Sequence, residues 1–346
     1  MDAIKGGEGM TNSRGKNMAV VILALVLPAL ILLSVAMGRY GVPVGEVVRI
    51  LLAKVFSIQD TWTAQMDAAV WNIRLPRVLL ACMVGGSLSA AGTAYQTVFR
   101  NPMAAPDILG ASSGACFGAA LAILLGLPRF GIVVLAFVMS LASVGLVYVV
   151  GKRTHGSRIV NLLLAGIMVG SLFSAGTSYI KLVADPGDQL PAITYWMMGS
   201  LNGTVFKDVG FAVIPMLIGL VPLLLLRWRI NLLTVGEDEA RAMGVNVSRL
   251  RLVTILCATV LTAASVSVSG MIGWVGLVIP HLCRKLVGGD CRRLLPCSML
   301  LGAAFLLLVD DVSRSLLTVE IPIGILTAVI GAPFFLYLMT RKEHSL

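Results

Sequence analysis

The chain has 346 residues, of which 58% are hydrophobic and only 13% are charged, and its formal net charge at pH 7 is +10. So few polar residues cannot cover the surface of a water-soluble core of this length, and the composition therefore predicts a polytopic membrane protein. No soluble basic domain accompanies the positive charge. The positive charge therefore predicts cytoplasmic loops that face anionic lipid, and the lack of a basic soluble domain excludes a nucleic-acid-binding protein.

Apolar runs recur along the chain at lengths that suit membrane helices. A helix needs about twenty mostly apolar residues to cross a hydrocarbon core of about 30 Å. We expect an all-α fold with about ten transmembrane helices, in which residues 1–17 form a tail and residues 18–346 a single transmembrane domain. The predicted spans are 18–37, 76–98, 107–126, 130–150, 159–183, 209–226, 252–269, 271–287, 294–309 and 323–340.

The basic residues predict the orientation of these helices. With an even number of spans, both termini lie on one side of the membrane, and most of the 27 lysine and arginine residues fall on that same side. Because cytoplasmic loops carry an excess of Lys and Arg, both termini are predicted to be cytoplasmic.

Motifs for catalysis and metal binding are missing from the sequence. The stretch at 6–17 lacks the spacing of a phosphate-binding loop, and neither H-E-x-x-H nor G-x-S-x-G occurs. The six cysteines form no C-x-x-C pair, so free thiols are expected. Ionisable residues are rare within the spans, and Asp107 is expected to cap a helix. An ion-coupled carrier is therefore the weaker hypothesis, and energy should enter through another subunit.

Small residues at four-residue spacing mark the stretch 85–118. Gly86 and Ala90, and then Gly110, Gly114 and Gly118, would allow close contact between helices, and tight packing alone would explain them. The RNP sequence at 100–102 and Pro106 predict the end of one helix and the start of the next.

Six longer blocks follow one another along the chain. They are IRLPRVL (73–79), GGSLSAAGTAYQTVFRNPMAAPDILGASSGA (85–115), ITYWMMGSLNG (193–203), GEDEARAMGV (236–245), SGMIGWVGLVIPHLCR (269–284) and EIPIGILTAVIGAPFF (320–335). In their order and spacing these blocks resemble the FecCD family, the permeases of ABC importers for iron chelates, haem and vitamin B12. The resemblance runs from about residue 70 to the C-terminus. It implies the type II ABC importer permease fold, which works as a homodimer or with a sister permease.

The family resemblance assigns a role to the charged stretch 236–251. Its three successive acids suit the positive N-terminal end of a short helix. The equivalent segment in the family resembles two short coupling helices, here about 236–250, which lie in a cleft of the ATPase. A solvated loop with snorkelling arginines is the alternative. The residues expected to couple are Gly236, Glu237, Ala240, Arg241 and Gly244, of which Ala240 and Gly244 would keep one face small.

Three arginines match positions where the family presents cations to its substrate-binding protein. They are Arg74 and Arg77 of RLPR and Arg314 of DDVSR. A guanidinium group can hold a carboxylate through two hydrogen bonds, which suits docking onto acidic residues of a two-lobed partner. Snorkelling to lipid phosphates is the alternative.

The span at 159–183 contains an unusual number of small and mildly polar side chains. We expect it to line the translocation path on the dimer axis. The lining residues are predicted to be Gly166, Gly170, Ser171, Ser174 and Ser178. A weakly polar tube suits a bulky cargo that must not be held tightly, but helix packing would explain the glycines equally well. Residues 184–203 are expected to form an outside loop with a short gating helix.

The resemblance implies a ferric siderophore as cargo, carried across the cytoplasmic (inner) membrane, with vitamin B12 or haem as the alternative. This chain would bind no cofactor or metal, because ATP and Mg²⁺ would bind to the partner ATPase. The expected partners are a cytoplasmic ABC ATPase dimer, a periplasmic or lipid-anchored substrate-binding protein, a second permease and membrane lipid.

Overall fold

The structure is a computed structural model that describes residues 3–38, 40–54, 56, 59, 61–153 and 158–340. These residues form helices and connecting loops, with no β-strand among them. The helices are α1 (Ala3–Ala36), α2 (Val44–Ala53), α3 (Ala64–Ala68), α4 (Leu75–Val98), α5 (Ala111–Leu124), α6 (Arg129–Arg153), α7 (Arg158–Val183), α8 (Gln189–Met197), α9 (Phe206–Leu232), α10 (Glu237–Ala242), α11 (Val247–Ser269), α12 (Val275–Val287), α13 (Cys291–Ser315) and α14 (Ile323–Thr340). A π-helical turn, Ala69–Arg74, joins α3 to α4.

Each of the ten predicted spans coincides with a helix, but the helices differ in length. Seven segments in the described part of the chain are long and apolar enough to cross a membrane. By contrast, α5 has 14 residues and α12 has 13. At about 1.5 Å per residue, each is only about 20 Å long, which is shorter than a bilayer core. The predicted spans 107–126 and 271–287 were therefore too long.

Both short helices begin after a break in the chain that packs against other helices. The loop 99–110 packs so closely on α12 that a Cβ at Gly276 would overlap the Pro106 ring, and it would lie 2.7 Å from the Leu88 carbonyl oxygen of α4. Irregular backbone at membrane depth is tolerated only where protein surrounds it or where it lines a cavity. The close packing of the loop 99–110 on α12 and α4 meets this condition at Pro106 and Gly276.

The core consists of α4, α11 and α13, and the other long helices surround it. In the most apolar window of the segment Ala64–Val98, which contains α4, 83% of residues are buried, whereas the corresponding value for Gly15–Ala36 of α1 is 11%. The peripheral helices expose large apolar side chains, which suits contact with lipid. Small residues do permit close packing, as the sequence predicted. A Cβ at Gly114 or at Gly118 would lie 2.5 Å from the Met139 or Leu135 carbonyl oxygen of α6, respectively. All six cysteines are free thiols.

Candidate functional site

The predicted coupling segment contains one short helix, α10, between the long helices α9 and α11. Gly236 precedes α10, and the three acids Glu237, Asp238 and Glu239 occupy its first turn. These charges match the partial positive charge of a helix N-terminus. The second short helix of the prediction is absent, because Asn246 already caps α11 by accepting a hydrogen bond from the Arg249 backbone N–H at 3.0 Å.

The end of α10 is a Schellman turn that requires a glycine. The Val245 N–H donates to the Ala240 carbonyl at 3.0 Å, and the Gly244 N–H donates to the Arg241 carbonyl at 2.9 Å. Gly244 adopts φ +78°, and no atom lies within 4 Å of the position its Cβ would take. Gly244 is therefore needed for its backbone conformation. Its predicted role as a small residue on a face toward the ATPase stays a prediction.

An ion pair fixes α10 to α11. The Arg251 guanidinium donates to the Glu237 carboxylate, and Arg241 lies 3.4 Å from the same carboxylate. The hydrogen bond from Arg251 holds the pKa of Glu237 below its ordinary value. Ala240 is fully buried against the chain's own core, so it offers no small face to a partner. The exposed side chains of the segment carry both signs of charge, from Asp238 and Glu239 and from Arg241 and Arg249.

Two apolar side chains at this surface were missed by the sequence interpretation. Val235 is 58% exposed and Met243 is 51% exposed, and they flank α10 on either side. A patch of apolar side chains beside acids is a usual composition for a protein contact. The signal in the sequence was a valine and a methionine placed next to glycines in a polar stretch.

The three arginines predicted to dock a partner lie together, but they are buried. Arg74, Arg77 and Arg314 are 5%, 6% and 9% exposed, respectively. With Asp310, Asp311 and Glu320 they form the arginine network, in which the six formal charges cancel.

Arg77 has two carboxylate partners within the chain. Its Nε donates to both oxygens of Asp310 at 3.0 Å, and its Nη2 donates to one of them at 2.9 Å. Its Nη1 donates to both oxygens of Glu320 at 3.0 Å. The Asp310 side chain is fully buried, whereas that of Glu320 is 22% exposed. Arg77 therefore links α4 to α13 and to the loop that precedes α14.

The other two arginines bind the end of α1. Arg74 donates to the carbonyl oxygens of Val35 and Ala36 at 2.9 Å. Arg314 donates to the Ser34 carbonyl at 2.5 Å and pairs with Asp311. Cationic donors at the last carbonyls of a helix stabilise its C-terminus. The arginine network thus has an intramolecular role, and its docking role stays a prediction.

The residues predicted to line a path separate onto two sides of α7. Gly166 is buried, and a Cβ there would collide with the Ile108 carbonyl oxygen, while Gly170 lies near Gly110. These glycines pack α7 against the loop 99–110 and α5. Ser171, Ser174 and Ser178 are exposed. Their spacing of three and four residues places them on one face of the helix.

A cavity of about 680 Å³ lies between α8, α11, α12, α14 and the loop 99–110. Three methionines line it, Met197, Met198 and Met271, together with Trp274. Asp107 is the one ionisable residue among the described residues that line it. The expectation that Asp107 caps a helix was wrong, because α5 begins at Ala111 with Gly110 before it. The carboxylate instead lines a cavity whose other side chains are mostly apolar, apart from Ser112 and Thr262.

Comparison with known proteins identifies the fold. The model of the FecCD transport family matches residues 24–341. The chain belongs to the FecCD transport family. As a member, it is a multi-pass membrane protein and an ABC importer permease, and the resemblance seen in the sequence is confirmed.

Individual FecCD relatives are similar over most of the chain. The molybdate import system permease protein MolB of Haemophilus influenzae is 40% identical over 323 residues, which cover 93% of this chain and 95% of MolB. A Helicobacter pylori protein named "Probable iron chelatin transport system permease protein" is 41% identical over 280 residues, 81% of this chain and 85% of the relative. A solved structure described as an inward-facing metal-chelate type ABC transporter has a TM-score of 0.82 and 38% identity, and covers 92% of this chain and 98% of the other.

The FecCD motifs correspond to the places where the helices are interrupted. RNPMAAPDILG is residues 100–110 of the loop 99–110, and SGMIGWVG contains the residues that lead into α12. ITYWMMGS contains the end of α8, the short helix that the sequence predicted within 184–203. Each of these stretches contributes residues to the cavity. The family's sequence signature therefore encodes the cavity wall as well as helix packing.

Proposed function

We propose that this FecCD permease carries an iron chelate, with a ferric siderophore as the first candidate, across the cytoplasmic membrane. ATP hydrolysis on a separate subunit would drive transport, and a soluble or lipid-anchored protein would deliver the cargo. A second copy of the chain, or a sister permease, would complete the channel. In this arrangement the ten helices that coincide with the predicted spans cross the membrane fully or in part, and both termini are cytoplasmic.

The observation that carries the cargo assignment is the chemistry of the cavity. Thioether, aliphatic and indole side chains dominate its wall. Among the described residues that line it there is no lysine, arginine or histidine, and the one carboxylate, Asp107, would repel an anion. An uncharged or weakly charged chelate can pass such a surface without being held. The relative named for iron chelatin and the metal-chelate type structure support the same class of cargo.

Molybdate is the second candidate, and the similarity to MolB over 93% of this chain favours it. A bare dianion in the cavity would lose its hydration without meeting a cationic group, which is costly. Vitamin B12 and haem remain the alternatives that the sequence resemblance suggested, because both are bulky chelates. Family membership favours every one of these ABC importer cargoes over an ion-coupled carrier.

The coupling mechanism that we propose uses α11 as a rigid connection. At its first turns, Arg251 holds Glu237 of α10, and near its other end Thr262 and Val266 line the cavity. The 23 residues of α11 extend about 34 Å, roughly the thickness of the membrane core. A movement that the ATPase imposes on α10 would therefore reach the cavity wall through one packed helix.

The test is accumulation of labelled ferric siderophore, molybdate, haem and cobalamin in cells that lack the chain and in cells given it back. We expect loss and restoration of ferric siderophore uptake alone. Uptake of molybdate alone would keep the mechanism and overturn the cargo. ATP hydrolysis by the purified chain without a partner would overturn the proposed division of labour. A Glu237→Gln variant that reaches the membrane should retain cargo binding and lose part of the transport rate.

A further inference from the structure

A cleft of about 550 Å³ lies beside the coupling segment and is separate from the central cavity. It lies where α4 and α12 end and α13 begins. The residues that define this basic cleft are Gln96, Thr97, Arg100, Asn101, Asn231, Arg284 and Asp290. None of these side chains lines the central cavity, although the charge of Arg100 acts on Glu237 of α10.

One arginine in the basic cleft has a buried donor without an acceptor. Arg284 Nη2 donates to the Gln96 side-chain oxygen, and Gln96 is held in turn by its own donation to the Gly276 carbonyl at 3.3 Å. Arg284 Nη1 is buried and has no hydrogen-bond partner among the described residues. A buried guanidinium donor that stays unpaired is costly, so this group calls for an acceptor that the chain does not supply.

Two amide side chains of the cleft have their oxygen atoms already occupied. The Asn101 oxygen accepts from the Met103 backbone N–H at 2.9 Å, and the Asn231 oxygen accepts from the Cys291 backbone N–H at 2.8 Å. What each amide has left to offer is its NH₂ group, which only donates. The cleft thus gathers donors from two arginines and two asparagines.

The one carboxylate of the cleft is already neutralised. Asp290 receives hydrogen bonds from Arg292 Nε on both of its oxygens, at 3.0 and 2.9 Å. It also accepts from the Arg292 backbone N–H at 3.0 Å at the start of α13. With this pair cancelled, Arg100 and Arg284 leave the cleft with a formal charge of +2.

Arg100 occupies a backbone position that favours glycine. It has φ +49° and follows α4 in a Schellman turn, in which the Asn101 N–H donates to the Gln96 carbonyl at 3.1 Å. A glycine would adopt this left-handed conformation without strain. The Arg100 side chain is exposed and has no ion pair among the described residues. An arginine at this position makes sense if its guanidinium group has a ligand.

We propose that the basic cleft binds a phosphate-type oxyanion, contributed by a free phosphate compound or by the headgroup of an anionic phospholipid. Arg100 and Arg284 hold the anion through charge-assisted hydrogen bonds, and the two asparagine NH₂ groups complete its shell. Both sources share this chemistry. The cleft sits at helix ends, the depth at which headgroups lie.

The experiment uses the purified full chain in detergent, with inorganic phosphate as the probe, and in nanodiscs of phosphatidylglycerol or phosphatidylcholine. Thermal stability and phosphate binding by titration calorimetry are the readouts. Wild-type protein should show saturable stabilisation by phosphate or by phosphatidylglycerol. Stabilisation in detergent identifies a free anion, and stabilisation only in phosphatidylglycerol nanodiscs identifies a headgroup.

Three variants make the test specific. Arg284→Gln should weaken binding about tenfold, which corresponds to one lost charge-assisted hydrogen bond. Arg100→Gly should weaken binding similarly while the unliganded protein keeps or gains stability, because glycine suits the turn. Arg229→Gln removes one exposed charge from α9 outside the cleft and should leave binding unchanged.

Two outcomes would overturn the proposal. One is that neither phosphate nor phosphatidylglycerol affects the wild-type protein. If Arg100→Gly then also weakens binding of the ATPase subunit, the cleft serves a protein contact. The other is an equal loss of anion binding in Arg229→Gln and Arg284→Gln, which would indicate general surface attraction.

Discussion

Replacement of Asp310 by Asn should destabilise the protein far more than replacement of Glu320 by Gln. Both carboxylates bind Arg77, but the Asp310 side chain is fully buried and the Glu320 side chain is 22% exposed. Asp310→Asn leaves a buried guanidinium group short of charge compensation, and breaking a buried ion pair costs about 3–5 kcal/mol. At Glu320, water can replace the lost partner, so we expect about 1.5 kcal/mol or less.

A double replacement distinguishes the contribution of the ion pair to the free energy of unfolding from the contribution of packing. Arg77→Met combined with Asp310→Leu removes both charges and keeps apolar volume. Such exchanges of buried pairs are often neutral, so the double variant should recover most of the stability lost in Asp310→Asn. The free energy of unfolding would be measured by SDS titration in mixed micelles, with the thermal midpoint as a second readout.

The same measurements distinguish the intramolecular role of Arg77 from the predicted docking role. If the network mainly stabilises the fold, Arg77→Gln will unfold at a lower SDS fraction. If Arg77 mainly docks a binding protein, this variant will keep wild-type stability and lose only partner binding. Equal destabilisation by Asp310→Asn and Glu320→Gln, or a double variant no better than Asp310→Asn, would refute the reasoning from burial.

Three further predictions concern other parts of the chain. Gly244→Ala should destabilise α10 by about 1–2 kcal/mol, because alanine disfavours φ +78°. The control Gly210→Ala, where a Cβ meets open space within α9, should not destabilise the protein. The free energies of unfolding of the two variants would be compared with that of the wild type. Because the hydrogen bond from Arg251 depresses the pKa of Glu237, the stabilisation it provides is complete above the ordinary pKa of 4.5 and is lost as pH falls through the lower folded value. The hydrogen-exchange protection factors of residues 236–245, which correct for the intrinsic pH dependence of amide exchange, should therefore fall below about pH 4.5 in the wild type. A Glu237→Gln variant whose protection factors fall in the same way would contradict this assignment. Gly166→Ala should lower the thermal midpoint because its Cβ would collide with the Ile108 carbonyl, while Ser174→Ala on the exposed face should leave it unchanged.

Hydropathy predicted where the helices are, because it depends only on local composition. It could not predict that α5 and α12 are short, since that follows from contacts between Pro106, Gly276 and the Leu88 carbonyl, which are distant in sequence. The family motifs contain the residues of these breaks, but the motifs alone do not show that the helices are short. The same glycines and prolines are compatible with continuous helices until the packing is known.

The arginine network shows the limit of sequence reasoning about charge. Arg77 and Asp310 are 233 positions apart, and Arg77 and Glu320 are 243 apart. Arginines near predicted span ends are consistent with lipid contact, with docking or with a buried pair. Only the fold decides among these environments. Asp310 and Asp311 directly follow the predicted span 294–309, and nothing in their local sequence identifies Arg77 and Arg314 as their partners.

Helix ends show both what local patterns can predict and what they hide. Gly244 follows a short charged run by two residues, so the pattern of a helix followed by glycine could have identified its Schellman turn without a structure. Arg100 forms the same turn after α4, yet no local rule would assign a left-handed conformation to an arginine. The two turns have the same backbone geometry but serve different purposes. At Gly244 the conformation closes α10, and at Arg100 it holds a cation beside the basic cleft, which is why a glycine replacement should separate binding from folding there.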